Sequence, residues 1–190
     1  ALCYLLRAHV AVIFAYGLLR GYGVVHSLTE AGLVAIFATL ATTDGRRRRF
    51  TSAMAALGPV MSSAVIVHLS GGLIEAHFHF FVMVGILTLY QDWRPFLIAI
   101  GFVVFHHAVV GVVAPEQVFG KGPHNLPDTI GRVAVHAFFV VIEIVALLVS
   151  WRQAELHAAD LEAKNAALDA RNDELDGIVA KLDASIHDRE

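Results

Sequence analysis

One cysteine among 190 residues, Cys3, excludes an intrachain disulfide and any thiolate metal cage. Charge is scarce as well. Asp, Glu, Lys and Arg make up 16% of the chain against 57% hydrophobic residues, and the mean hydropathy is +0.64. Those values belong to a membrane protein rather than a soluble domain. The formal net charge of -3 offers no basic surplus, which argues against a nucleic-acid partner. The charges are also unevenly placed. Residues 1–151 hold nine Lys/Arg and seven Asp/Glu, and residues 152–190 hold five and ten. An apolar module, 1–151, is therefore followed by a polar, acidic tail, 152–190.

A membrane-crossing helix needs about 20 mostly apolar residues. Six such stretches are present, at about 2–19, 24–43, 51–69, 72–90, 95–113 and 129–151. Gly, Pro and Asp mark the connections between them, among them "DGRRRRF", "SGG", "QDWRP" and "APEQVFGKGPHNLPD". No small-residue cleavage site follows the first stretch, so it reads as a span and not as a cleaved signal peptide. The fold class expected is all-α: a six-helix transmembrane bundle continuing into a cytoplasmic parallel coiled coil. Arg46, Arg47, Arg48 and Arg49 fill one connection, Arg94 another, and Arg152 follows the last span. The alternate connections hold only Arg20 and Lys121. The positive-inside rule then places both termini in the cytoplasm of a bacterial inner membrane.

Topology turns sequence position into depth, at about 1.5 Å per residue. Seven histidines from five spans, His26, His68, His77, His79, His106, His107 and His136, fall in the outer leaflet, with Glu75 close by. His9 lies near mid-membrane and Glu143 deeper still. His124 falls in a loop, and His157 and His187 in the tail. Ionisable groups inside a bilayer face the bundle interior and pair with something. Glu75 and His79, four apart, share a helical face, whereas His77 points about 200° away on an ideal helix. His106 and His107 point about 100° apart.

Many imidazoles with one or two carboxylates and no thiolate suit copper, iron or zinc. The ligand candidates are His68, Glu75, His77, His79, His106, His107 and His136. His26, His9 and Glu143 are further ligands or orienting partners. A single zinc takes about four ligands, so this surplus implies either a dinuclear site or an outer ring of orienting histidines. The alternative is heme b, with two histidines as axial ligands and Phe78, Phe80, Phe81 and Phe105 packed around the ring. A metal-dependent membrane enzyme and a metal transporter are the other function classes. No Ser/His/Asp order is readable for the first, and only His9 and Glu143 offer a midplane path for the second.

In the tail, Leu161, Leu168, Leu175 and Leu182 recur every seven residues. Asn165, Asn172, Val179 and Ile186 fall at the a position of the same heptads. Leucine at d with asparagine at two a positions is the pattern of a parallel two-stranded coil, in which buried asparagines set register and oligomer state. A homodimer is expected. No Gly or Pro interrupts 132–164, so one rod leads from the bundle into the tail. The heptads still run at Glu190, which points to an output domain following in the same chain.

The stretch "VHLSGGLIEAHFHFFVMVGILTLYQDWRPFLIAIGFVVFHHAVVG" resembles the N-terminal histidine-rich transmembrane sensory module of bacterial signalling proteins, including chemotaxis receptors and sensor kinases or cyclases. The resemblance is close over 67–111 and extends over 1–151. It implies a membrane sensor with His68, Glu75, His77, His79, His106 and His107 as motif positions.

Overall fold

A computed structural model describes residues 2–43, 48–122 and 125–187, with side chains as far as 182. Arg46, Arg47 and His124, and the side chains of Ile186 and His187, lie outside the described residues. Every regular element within them is helical. Three long helices come first: α1 (Leu2–Leu19), α2 (Val24–Ala41) and α3 (Arg48–Ser70). A 3₁₀ turn (Ile74–His77) opens the shorter α4 (Phe78–Thr88). Helix α5 (Trp93–Phe105) runs through a π-turn (His106–Val110) into α6 (Gly111–Val113). A short α7 (Pro115–Phe119) precedes α8 (Leu126–His187). The fold is a bundle of apolar transmembrane helices whose last helix continues into a long polar stretch.

Among the described residues, five helices are long and apolar enough to cross a membrane: Leu2–Leu19, Val24–Ala41, Arg48–Ser70, Trp93–Val113 and the apolar part of α8. The fourth expected span, 72–90, is realised as the shorter Ile74–Thr88. At 1.5 Å per residue it reaches about 22 Å, short of the roughly 30 Å of hydrocarbon. The chain divides into two units, 1–147 and 148–190.

In lipid, helices gain nothing from mutual hydrophobicity, so close packing through small residues must hold them together. Helix α3 supplies those residues. Ala55, Ala56, Gly58, Ser62, Ser63 and Ala64 are all buried. Gly58 admits the side chain of Leu6 from α1: a Cβ there would stand 2.6 Å from Leu6 Cδ2. Leu6, Ile13, Ala31, Val34, Ala38, Val65 and Leu69 form the common core of α1, α2 and α3.

Two glycines end α3. Gly71 and Gly72 take positive φ, 76° and 78°, conformations that glycine adopts at no steric cost. The Gly72 N–H donates to Val67 O (3.0 Å) and the Gly71 N–H to His68 O (2.9 Å), the paired bonds of a Schellman cap. Arg20 donates to Ser70 O (3.0 Å) and Leu69 O (3.4 Å), so this cation satisfies the carbonyls left over at a helix end. The turn after α7 packs on the same glycine pair, because a Cβ on Gly72 would collide with the backbone of Gly120.

Candidate metal centre

Three histidines from three elements meet beside that glycine pair. His77 ends the 3₁₀ turn after α3, His107 lies in the π-turn after α5, and His136 lies on α8. Their ring centroids are 5.0 Å (His77–His136), 5.3 Å (His107–His136) and 5.5 Å (His77–His107) apart. One ring nitrogen from each lies within 4.8 Å of the other two. His77 and His107 are buried, and His136 is half-buried.

Each ring is held in the same way. Nδ1 lies 3.0 Å from Leu73 O in His77, 2.9 Å from Val103 O in His107 and 2.8 Å from Arg132 O in His136. Every one of these carbonyls is four residues upstream. A carbonyl only accepts, so this network assigns the proton to Nδ1 in all three rings. Nε2 is then the lone-pair nitrogen in each. In His77 and His107 it is shut off from water and has no hydrogen-bond partner. Buried polar atoms are rarely left unpaired. Two orphaned lone pairs beside a third imidazole make a donor set that fits a transition ion, with Nδ1–H bonds of the kind that orient ligating histidines.

Neighbouring groups shape the spot. Phe119 of α7 stacks on His77 at 6.5 Å and 3°, and lies 5.6 Å from His136. A cavity of about 10 Å³, lined by the three histidines with Phe80, Val103 and Glu143 among others, has room for about one small ion or water. An open cleft of about 470 Å³ is walled by His77, His136, Gly72, Phe119, Asp128 and Arg132. It opens at the surface of the bundle. Pi-turns inside helices are frequent at functional sites, and this one carries the adjacent pair His106 and His107. His107 turns into the cluster. His106 packs between Phe80 (5.3 Å) and Phe102 (6.2 Å), with its Nδ1 buried and unpartnered.

The other candidate residues go elsewhere. His79 faces His9: their Nε2 atoms are 3.0 Å apart, and His79 Nδ1 is 2.8 Å from Ser63 Oγ. His68, in the last turn of α3, joins His26 and Glu30. Glu75 is exposed, and no ligand cluster among the described residues includes it. Glu143 lines the same small cavity as the three histidines. Glu30 was not picked out from the sequence. The available signal was its spacing of four from His26 inside an apolar helix, which puts both on one face.

Over 161 residues the chain is 35% identical to Transducer protein Htr8 of Halobacterium salinarum, a match covering 78% of this chain and 25% of the relative. The chain thus spans about a quarter of the length of the curated relative it matches. No family model matches the chain. No solved structure matches it significantly.

Proposed function

We propose that the chain is the membrane-embedded sensory part of a signal transducer and that His77, His107 and His136 hold a transition ion in it. The observation that carries this reading is the convergence of three Nδ1-anchored imidazoles, two with orphaned Nε2 atoms, in a chain similar over most of its length to a protein named as a transducer. A tetrahedral site with bonds of about 2.0–2.1 Å asks for ligand separations of about 3.3 Å. The ring nitrogens, which lie within 4.8 Å of one another, would draw together by up to about 1.5 Å on binding. Three neutral imidazoles suit copper or zinc best, with iron as the third choice. They leave a coordination position for water or for a small molecule arriving through the cleft. Glu143 would balance part of the ion's charge. The rings stand 5.0–5.5 Å apart with no slot for a flat macrocycle, which favours a bare ion over heme b.

The route for a signal is α8. It carries His136 and, further along, Leu161, Leu168 and Leu175, all exposed in the single chain. A second copy would cover these leucines in a parallel homodimer, and a shift or rotation of the helix would pass to an output domain beyond it. The test is elemental analysis and a visible spectrum of protein purified without added metal. Wild type should carry about one ion per three-histidine site, and His77→Ala, His107→Ala and His136→Ala should each lose most of it. A Soret band would move the reading to heme. Full metal content in all three variants would end it.

A further inference from the structure

A second cluster lies where α2 begins and α3 ends. His26 and Glu30 are one turn apart on α2, and His68 is in the last turn of α3. Glu30 Oε1 is 3.8 Å from His26 Nε2 and 3.7 Å from His68 Nε2. Both separations exceed hydrogen-bond length, so neither imidazole directly satisfies the carboxylate. His26 Nε2 is shut off from water and has no partner. Tyr22 stacks on the His26 ring at 4.6 Å and 16°, which fixes the direction of that nitrogen. A carboxylate in an apolar helix is costly unless something compensates it.

We infer that His26, Glu30 and His68 form a second transition-metal site, of the two-histidine, one-carboxylate type, that takes a divalent ion such as Zn²⁺ or Cu²⁺. The observed N···O separations lie only about 0.4 Å outside the roughly 3.3 Å edge of a tetrahedral zinc site. Binding therefore starts from side chains already close to ligand distance of the carboxylate. Two imidazoles and one carboxylate leave a divalent ion with a net charge of +1 and at least one position for water. The side chains are 42%, 20% and 31% exposed for His26, Glu30 and His68, so this ion faces solution and exchanges with it. The ion at His77, His107 and His136 would be the slower to leave. An ion here also ties the start of α2 to the end of α3, immediately before the glycine turn that leads to His77.

The experiment uses the whole chain in detergent, stripped with a chelator and titrated with Zn²⁺ at about pH 8, above the ordinary imidazole pKa. Stoichiometry is read by calorimetry and elemental analysis, and folding by circular dichroism. Glu30→Gln keeps the side chain's shape and removes its charge. It should cost one equivalent of Zn²⁺, or weaken that equivalent by about 10- to 100-fold or more, since even orienting partners of ligands are worth that much. His68→Gln should do the same. His107→Ala should leave this equivalent untouched. If Glu30→Gln and His68→Gln bind Zn²⁺ as wild type does, the second site is overturned, whether or not His107→Ala loses an ion. If Glu30→Gln loses an equivalent and His107→Ala loses none, the second site stands and the three-histidine reading fails.

Discussion

His9 Nε2 and His79 Nε2 lie 3.0 Å apart, joining α1 to α4. His9 Nδ1 is 2.7 Å from Leu5 O, so its proton sits there and its Nε2 accepts from His79. His79 Nδ1 is then the acceptor for Ser63 Oγ at 2.8 Å. The result is a hydrogen-bonded line across three helices with every ring nitrogen used. His79→Ala strands His9 Nε2, while Ser63 keeps the Pro59 carbonyl as an acceptor (3.1 Å), and should lower stability by about 1–3 kcal/mol, the cost of a buried group left unpaired. The double variant with His9→Ala should cost clearly less than the two single effects added, because the shared bond is lost only once. Unfolding of the variants in detergent checks both. Additive effects would show that the two rings do not act as a pair. Metal content at His77, His107 and His136 should be unchanged by either substitution.

Gly71 and Gly72 have nearly equal positive φ but different surroundings. A Cβ on Gly71 meets open space, whereas one on Gly72 would stand 2.7 Å from Gly120 Cα and 3.0 Å from the carbonyl carbon of Phe119. Gly71→Ala should therefore cost only the left-handed penalty, about 1–2 kcal/mol. Gly72→Ala should cost more, push the turn after α7 away, and lower ion binding, since Phe119 packs on His77. Thermal midpoints and metal content measured side by side test this. Equal effects from the two substitutions would contradict it.

That histidines of separate helices would lie near one another was legible in the sequence, and direction was not. Counting residues from helix ends placed His77, His107 and His136 at one level. Which ring faces which depends on local winding that composition does not encode. The change from 3₁₀ to α-helix at His77–Phe78 sends His77 and His79 to different partners, two residues apart. The π-turn likewise separates His106 from His107. Glu75, drawn toward the histidines by its position, is exposed because the segment after Gly72 begins outside the bundle core. The helices themselves were readable from apolar runs and glycine turns, apart from the fourth, whose apolar composition extends past its helical residues. Contact between helices that are remote in sequence, such as Glu30 with His68, needs the packed bundle.

The leucines of the tail make a separate prediction. Leu161, Leu168 and Leu175 are exposed in the single chain, as are Asn165 and Asn172. With Cys3→Ser removing the native thiol, Leu168→Cys should form an intermolecular disulfide under mild oxidation, because d positions face each other across a parallel in-register pair. Ala170→Cys, at an outward position of the same heptad, should not. Non-reducing gels read the outcome. Equal crosslinking at both positions would argue against the coil, and none at Leu168→Cys would argue against a parallel dimer.

Ion binding should depend on pH with a sign set by the ligand chemistry. Each Nε2 must be free of a proton to donate its lone pair, so protons compete with the metal. Affinity should level off above the ordinary imidazole range, about 6.5, and fall below it by up to about tenfold per pH unit per histidine. Any stability that the ion adds is present above that range and lost as pH falls through it. The two sites should differ in slope, because His26 and His68 are 42% and 31% exposed whereas the Nε2 atoms of His77 and His107 are shut off from water. Zn²⁺ affinities of Glu30→Gln and His107→Ala between about pH 5 and 8 separate the two slopes. Binding at His26, Glu30 and His68 that does not change over this range would exclude imidazole ligation there.

The adjacent histidines give the sharpest test of the three-histidine centre. His107 donates Nδ1–H to Val103 O and keeps its orphaned Nε2 beside His77 and His136. His106 is nearly as buried, but its ring lies among Phe80, Phe102 and His107 and belongs to no cluster of potential ligands among the described residues. Two residues of one type, side by side in the chain and equally hidden from water, should therefore behave oppositely. His107→Ala should abolish most ion binding with a modest loss of stability. His106→Ala should keep the ion while losing stability, because it removes a packed ring and leaves a void between two phenylalanines. His106→Phe should restore much of that packing and still bind the ion. Elemental analysis beside thermal unfolding reads both quantities on the same samples. If His106→Phe lost the ion as completely as His107→Ala, His106 would have to reach the metal through a rearranged π-turn, and the ligand set would be four histidines.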